Sequence, residues 1–279
     1  MTTEPQSTPF RPADDILSLP AIGDFVESAQ FPRNILRFRN QRAAASVGLA
    51  DLDDAAWIEH FGRFALLPGS LQRPMALRYH GHQFRVYNPD IGDGRGFLFA
   101  QVRDGDGRLL DLGTKGSGQT PYSRFGDGRL TLKGGVREVL ATEMLEALGV
   151  NTSRSFSLIE TGEALERGDE PSPTRSSVLV RLSHSHIRIG SFQRAATLGN
   201  TELLDALTRY ALERLYDETP GALPPAQLLG RVVERTADLA ASYMVAGFVH
   251  GVLNSDNINV TGESFDYGPW RFTPGWTPD

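Results

Sequence analysis

Apolar positions change their period along this chain. Between Gly96 and Gly190 they fall mainly in short runs, and from about Thr201 they recur at helical spacing. Gly96–Val102 and Leu109–Leu112 read as two strands joined by Gly105-Asp106-Gly107-Arg108, whose glycines supply the positive φ of a hairpin turn. From Gly135 to Leu148, Val136, Val139, Leu140, Met144, Leu145 and Leu148 follow helical spacing, and Gly149 is a natural stop. Ser155–Ile159 is a further strand. The polar loop from Thr161 to Arg175 is the best internal linker candidate. Ser177–Gly190 then reads as extended. Arg181 and Arg188 lie on opposite faces of one unbroken strand, so they share a pocket only if Ser183–Ser185 bulges or turns.

Upstream, Ala55–Leu67 predicts a short amphipathic helix with Asp53 or Asp54 as N-cap. Residues 1–30 are expected to be a disordered or extended segment, polar and Pro-containing up to about Asp15. Downstream, Leu203, Leu204, Leu207, Tyr210, Ala211 and Leu215 mark one amphipathic helix, broken by Gly221-Ala222-Leu223-Pro224-Pro225. A longer helix from about Leu228 to Phe248 delivers the chain to His250. The expected class is α+β. A strand-rich region, 31–190, precedes a partial helical region, 191–279. That is the order of a protein kinase-like bilobal fold, with an N-lobe and an incomplete C-lobe around a nucleotide.

Composition adds limits. A net charge of −6 over 279 residues argues against chain-wide attraction to nucleic acid or to anionic membrane, so polyphosphate binding requires a local basic pocket. The absence of cysteine excludes disulfides, zinc thiolates and cysteine nucleophiles, and suits a reducing cytosol. No run of about 18 apolar residues exists and no basic-then-apolar leader pattern opens the chain. A cytoplasmic location is expected.

The candidate chemistry is concentrated near the end, in His250-Gly251-Val252-Leu253-Asn254-Ser255-Asp256-Asn257 and Phe265-Asp266-Tyr267-Gly268. A hairpin across Thr261-Gly262 would bring Asn257 and Asp266 together as oxygen ligands for a hard cation such as Mg²⁺. Asp256 is then left where a general base sits. Gly-Asp-Gly-Arg recurs at Gly92–Arg95 and Gly126–Arg129, where glycines admit a phosphate to the backbone or simply make turns. Lys115, ending a strand, and Glu138, in the first turn of a helix, can form the ion pair that aims an ammonium at nucleotide phosphates. The pairs His80/His82 and His184/His186 lack a third ligand at metal-site spacing and read as structural.

These stretches together resemble the selenoprotein O family, kinase-fold proteins also known as protein adenylyltransferases. The resemblance is carried by Tyr79-His80-Gly81-His82-Gln83-Phe84, Ile91-Gly92-Asp93-Gly94-Arg95, and Lys115-Gly116-Ser117-Gly118-Gln119-Thr120-Pro121-Tyr122-Ser123-Arg124. It continues through Gly126-Asp127-Gly128-Arg129, Arg137-Glu138, Val180-Arg181 with Arg188-Ile189-Gly190-Ser191-Phe192, His250 to Asn257, and Asp266-Tyr267-Gly268-Pro269. It implies an ATP bound in an orientation flipped relative to ordinary kinases, with Gly92, Gly94 and Arg95 on the nucleotide and Lys115, held by Glu138, on phosphate. Asp127 and Gly128 would line the nucleotide site, and Arg181 with Arg188 would take the terminal phosphate. Asn257 and Asp266 would ligate Mg²⁺ or Mn²⁺. Asp256 would be the base on a Ser, Thr or Tyr hydroxyl of a substrate protein, so that AMP is transferred.

Kinase-type phosphoryl transfer and a non-catalytic nucleotide-binding scaffold are the alternatives. Two residues depart from the family's usual pattern: Arg85 stands where Gly is usual, and Thr114 where a more apolar residue precedes the Lys. The family also generally continues well beyond the equivalent of Asp279, and Arg271–Asp279 reads as an interrupted loop, so the chain is expected to be a C-terminally truncated member.

Overall fold

The computed structural model describes residues 8–275. Its strands are β1 (Arg11–Ala13), β2 (Gly23–Phe25), β3 (Ile35–Arg39), β4 (Met75–Leu77), β5 (Gly81–Gln83), β6 (Val86–Asn88), β7 (Leu98–Arg103), β8 (Leu109–Lys115), β9 (Leu130–Thr131), β10 (Arg154–Leu165), β11 (Thr174–Ser183), β12 (Phe248–Val249) and β13 (Arg271–Phe272). The helices are α1 (Gln41–Ser46), α2 (Asp54–Phe61), α3 (Leu132–Ala147), α4 (Ile189–Thr197), α5 (Thr201–Tyr210) and α6 (Pro224–Val245), with a π-turn over Ala211–Leu215. The α+β class therefore holds.

A nine-stranded sheet runs β2-β4-β7-β8-β11-β10-β3, with β1 beside β7 and β9 beside β11. Alternation along its central strands sends side chains to two separate cores. Phe97, Phe99, Leu110 and Leu112 pack with Trp57, Phe61 and Phe64 around α1 and α2. Leu77, Leu98 and Leu109 pack on the other side with Leu203, Leu207, Leu212 and Leu228. In the first core Trp57 stacks on Phe156 with centroids 4.9 Å apart, and its indole N–H donates to Ser157 Oγ at 2.9 Å, so the one polar atom of a fully buried ring is satisfied. The second core ties sheet to helices, fixing how residues from both regions face one another.

Several predicted elements form where expected. The β7–β8 hairpin turns through Gly107 at φ +86°, and Asp53 caps α2 by accepting from Ala56 N at 2.8 Å. Pro224 and Pro225 open α6 rather than merely interrupting the previous helix, because the first helical turn needs no donor there.

Others do not. In the segment expected to be disordered or extended, residues 8–30 are ordered: β1 pairs with β7 and β2 with β4, and Ile16, Leu19 and Ile22 are buried; residues 1–7 lie outside the described part. A few apolar residues spaced among polar ones suffice for edge strands. The proposed linker is shorter than expected, since β10 reaches Leu165 and β11 begins at Thr174, which leaves 166–173 outside the strands. The extended reading of Ser177–Gly190 stops at Ser183, and α4 begins at Ile189. On α3 the apolar stripe faces outward: Val136, Leu140, Met144 and Leu148 are exposed, while Gly135, Glu138, Ala141, Thr142 and Leu145 are buried. Glu138 goes inside because a cation waits there.

Candidate active site

A cleft of about 590 Å³ is lined by Gly92, Gly94 and Arg95 ahead of β7, Lys115 at the end of β8, Asp127 and Gly128 ahead of β9, Arg181 on β11, Arg188 at the start of α4, and Asp266. Seven Arg and Lys side chains and three carboxylates line it, an excess of four positive charges on a chain of net charge −6. This is the local basic pocket that the overall charge required.

At its base Lys115 Nζ donates to Glu138 Oε1 at 2.5 Å and to Asp266 Oδ1 at 2.7 Å, and Arg181 Nη1 lies 3.3 Å from the same Asp266 oxygen. The β8–β11 register places Leu179 opposite Lys115 and Arg181 opposite Gly113, so the two cations project from neighbouring strands. Burial by itself would raise the Asp266 carboxyl, but the charges of Lys115, Arg181 and Arg188 outweigh it and hold the group well below the usual range. Asp266 is also a non-Gly residue at φ +62°, a conformation Asp tolerates better than most.

Arg188 reaches the same place because the chain does turn after β11, through Ser185 at φ +80°. Its guanidinium is fully buried, 2.8 Å from Asp93 Oδ1 and stacked 4.1 Å from the Tyr79 ring centroid. Burial opposes its charge, yet Tyr79, Asp93 and Asp266 together hold it protonated. Asp93 is a residue that sequence reasoning passed over, although it sits inside the first Gly-Asp-Gly-Arg. Arg167, from the supposed linker, was missed too; it pairs with Asp127 at 2.9 Å. Although burial pushes Asp127 up, Arg167 and the backbone N–H of Arg129 bring its carboxyl below the ordinary value. Gly92 serves close approach: a Cβ there would lie 2.5 Å from the Tyr122 ring.

Neither Asp256 nor Asn257 lines the cleft. The expected hairpin across Thr261-Gly262 does not form. Gly262 N bonds Asn259 O in a turn, but the two flanks go to different partners, Val260 to Ile187 and Ser264 to Asn151 and Ser153. Backbone groups on already ordered neighbours out-competed a short local pairing. Asn257 Nδ2 donates to Val252 O at 2.8 Å, which leaves its Oδ1 as the oxygen available to a cation.

The donor set nonetheless fits Mg²⁺ in type, one carboxylate and one amide oxygen, with water and phosphate supplying the rest. Among the described residues no group of three or more His, Cys, Asp or Glu gathers as a metal site; the His80 ring pairs with the Tyr87 hydroxyl, and His186 gives its backbone N–H to Asp111. Near the cleft, Glu138 Oε2, Arg181 Nε, Arg188 Nε and Asp256 Oδ1 are buried without a hydrogen-bond partner. Buried polar atoms rarely stay so. Such a concentration suits a polar ligand that supplies the missing bonds.

Fold and cleft together define an α+β protein with a strongly cationic cleft. A profile described as "Protein adenylyltransferase SelO" matches residues 18–279, and the chain belongs to the SelO family. It is 53% identical over 273 residues to a protein nucleotidyltransferase YdiU of Synechococcus elongatus, covering 97% of this chain and 54% of the relative. Identity to the Gloeobacter violaceus protein of the same name is 56% over 262 residues, 91% of this chain and 53% of the relative. The Mycobacterium sp. protein of that name is 40% identical over 258 residues, 91% of this chain and 52% of the relative. The chain thus spans about half the length of these relatives.

Proposed function

We propose that this chain carries the nucleotide site of a metal-dependent protein adenylyltransferase, built as a kinase-like pair of lobes, 31–190 and 191–279, and working on ATP and a protein hydroxyl in the cytoplasm. The observation that carries the reading is the four-charge positive excess of the cleft around Lys115, Arg181 and Arg188. Membership of the SelO family, and relatives named as protein nucleotidyltransferases, supply the reaction type.

In this reading Gly92, Gly94 and Arg95 hold the nucleotide against the loop ahead of β7, with Asp127 and Gly128 across from them. Lys115, kept in place by Glu138, takes a phosphate oxygen, while Arg181 and Arg188 bind the terminal phosphate. Cations fixed in a buried cleft stabilise developing charge without reorganising, which is why positioned charge dominates such transfers. Asp266 and Asn257 would hold Mg²⁺ or Mn²⁺, which when bound neutralises phosphate charge. Lys115 then exchanges Asp266 for phosphate, an exchange of one anionic partner for another. Asp256 accepts the proton of the incoming Ser, Thr or Tyr hydroxyl.

Flipped nucleotide binding puts that hydroxyl at the α-phosphorus. The oxygen bonds to phosphorus, the bond to the β-phosphoryl oxygen breaks, and pyrophosphate leaves. Incubation with α-labelled or γ-labelled ATP tests the proposal: label on protein from the α position is expected, and label from the γ position alone means phosphoryl transfer instead.

A further inference from the structure

The ribbon β5–β6 belongs to neither core; it is a separate two-stranded element seated on the loop that carries Asp256. Three successive ribbon residues each bond one residue of that loop. His82 N donates to Ser255 Oγ at 2.9 Å, Gln83 Nε2 to Asp256 Oδ2 at 3.0 Å, and Phe84 N to Asn254 Oδ1 at 3.2 Å. Ser255 Oγ in turn donates to Gln193 Oε1 on α4 at 2.6 Å. The ribbon lies so close that a Cβ on Gly81 would stand 2.9 Å from Asp256 Cβ. Nothing in the sequence reading gave Gln83 a task.

Its amide is itself oriented. Asn88 Nδ2 donates to Gln83 Oε1 at 3.0 Å, which leaves the Nε2 hydrogens to face the carboxylate, an acceptor only. The two Asp256 oxygens are therefore unequal: Oδ2 is held, and Oδ1 is buried with no partner at all. A base needs this asymmetry, with one oxygen anchored so that the other keeps a fixed lone pair for the incoming proton.

We propose that Gln83 is the positioning residue of the transfer reaction, fixing Asp256 through Oδ2 so that Oδ1 receives the proton of the acceptor hydroxyl. This rests on the proposed role of Asp256. The hydroxyl proton goes to Oδ1, its oxygen bonds to the α-phosphorus, and the electrons of the broken bond leave with pyrophosphate.

The test compares Gln83→Met, Gln83→Glu and Asp256→Asn in AMP transfer, with ATP binding by calorimetry and a thermal melt of each. Gln83→Met keeps the volume and removes the donor; kcat is expected to fall ~10-fold, with KM for ATP unchanged. Gln83→Glu keeps the length but has no amide N–H to give Asp256 Oδ2, and its kcat is expected to fall at least as far as that of Gln83→Met. A merely structural glutamine does not lower kcat while KM for ATP and the melt stay unchanged. Loss of transfer in Asp256→Asn together with wild-type kcat in both Gln83 variants overturns the positioning role. Full transfer by Asp256→Asn overturns the base assignment beneath it, and so distinguishes the two failures.

Discussion

Glu263 offers a quantitative test of the fold that holds Asp266 in place. It lies three residues before Asp266, is 6% exposed, and forms no ion pair among the described residues. Its Oε2 accepts only the backbone N–H of His184 at 2.7 Å. Burial pushes its carboxyl up from 4.5 to about 8, against the milder pull of Arg108 and Arg154, while Asp111 adds to the rise. Between those values the folded chain holds a proton that the unfolded chain has released. This group's stabilisation is therefore complete below pH 4.5 and is lost as pH climbs through about 8. Each pH unit costs about 1.4 kcal/mol.

His184, pushed by burial from 6.5 down to about 4, gives the opposite slope below pH 6.5, so the clean window is 6.5 to 8. Within that window Glu263 accounts for about 2 kcal/mol. Glu263→Gln keeps the shape and the acceptor for His184 N but cannot ionise. Urea unfolding at both pH values should show wild type losing about 2 kcal/mol more than the variant over the interval. Parallel losses in the two proteins would mean that Glu263 is hydrated or paired, and the buried packing of this turn would be refuted.

Glu138→Ala leaves Lys115, 6% exposed, with Asp266 as its remaining carboxylate. Because one partner survives, the cost should be about 2–3 kcal/mol, below the ~3–5 of a fully orphaned buried charge, and a thermal melt with calorimetric ATP titration should show lower stability and weaker binding together. Arg85 sits at φ +70°, next to Phe84 at +52°, in the two-residue turn of the ribbon, a conformation that favours Gly. Arg85→Gly should therefore stabilise by about 0.5–1 kcal/mol, read as a rise of ~2 °C in Tm, with transfer unchanged.

Legibility followed the range of the interactions. The β7–β8 hairpin and the α2 cap were readable because strand, turn and helix signals there are local. The shared pocket of Arg181 and Arg188 was readable only as a condition, since Ser185 had to leave the strand conformation and no single residue type announces that. The face that α3 buries could not be read from its apolar stripe, because Glu138 follows Lys115 inward, a contact 23 residues away. The 258–266 hairpin failed for a similar reason: Ile187 and Ser153, remote in sequence, offered better-placed backbone partners. Asp93 and Arg167 matter through their partners Arg188 and Asp127, so only the assembled fold reveals them. Thr114, the other departure from the family pattern, is accommodated by bonds between its hydroxyl and Phe97 and Ser117.

The central claim is that Lys115, Arg181, Arg188 and Asp266 form one site for a metal-loaded triphosphate. Calorimetric titration of ATP with and without Mg²⁺, into wild type and Asp266→Asn, addresses it directly. Wild type should bind more tightly with Mg²⁺, and Asp266→Asn should lose that gain while still binding free ATP through its cations. Equal Mg²⁺ enhancement in both proteins, or no ATP binding by either, would contradict the account.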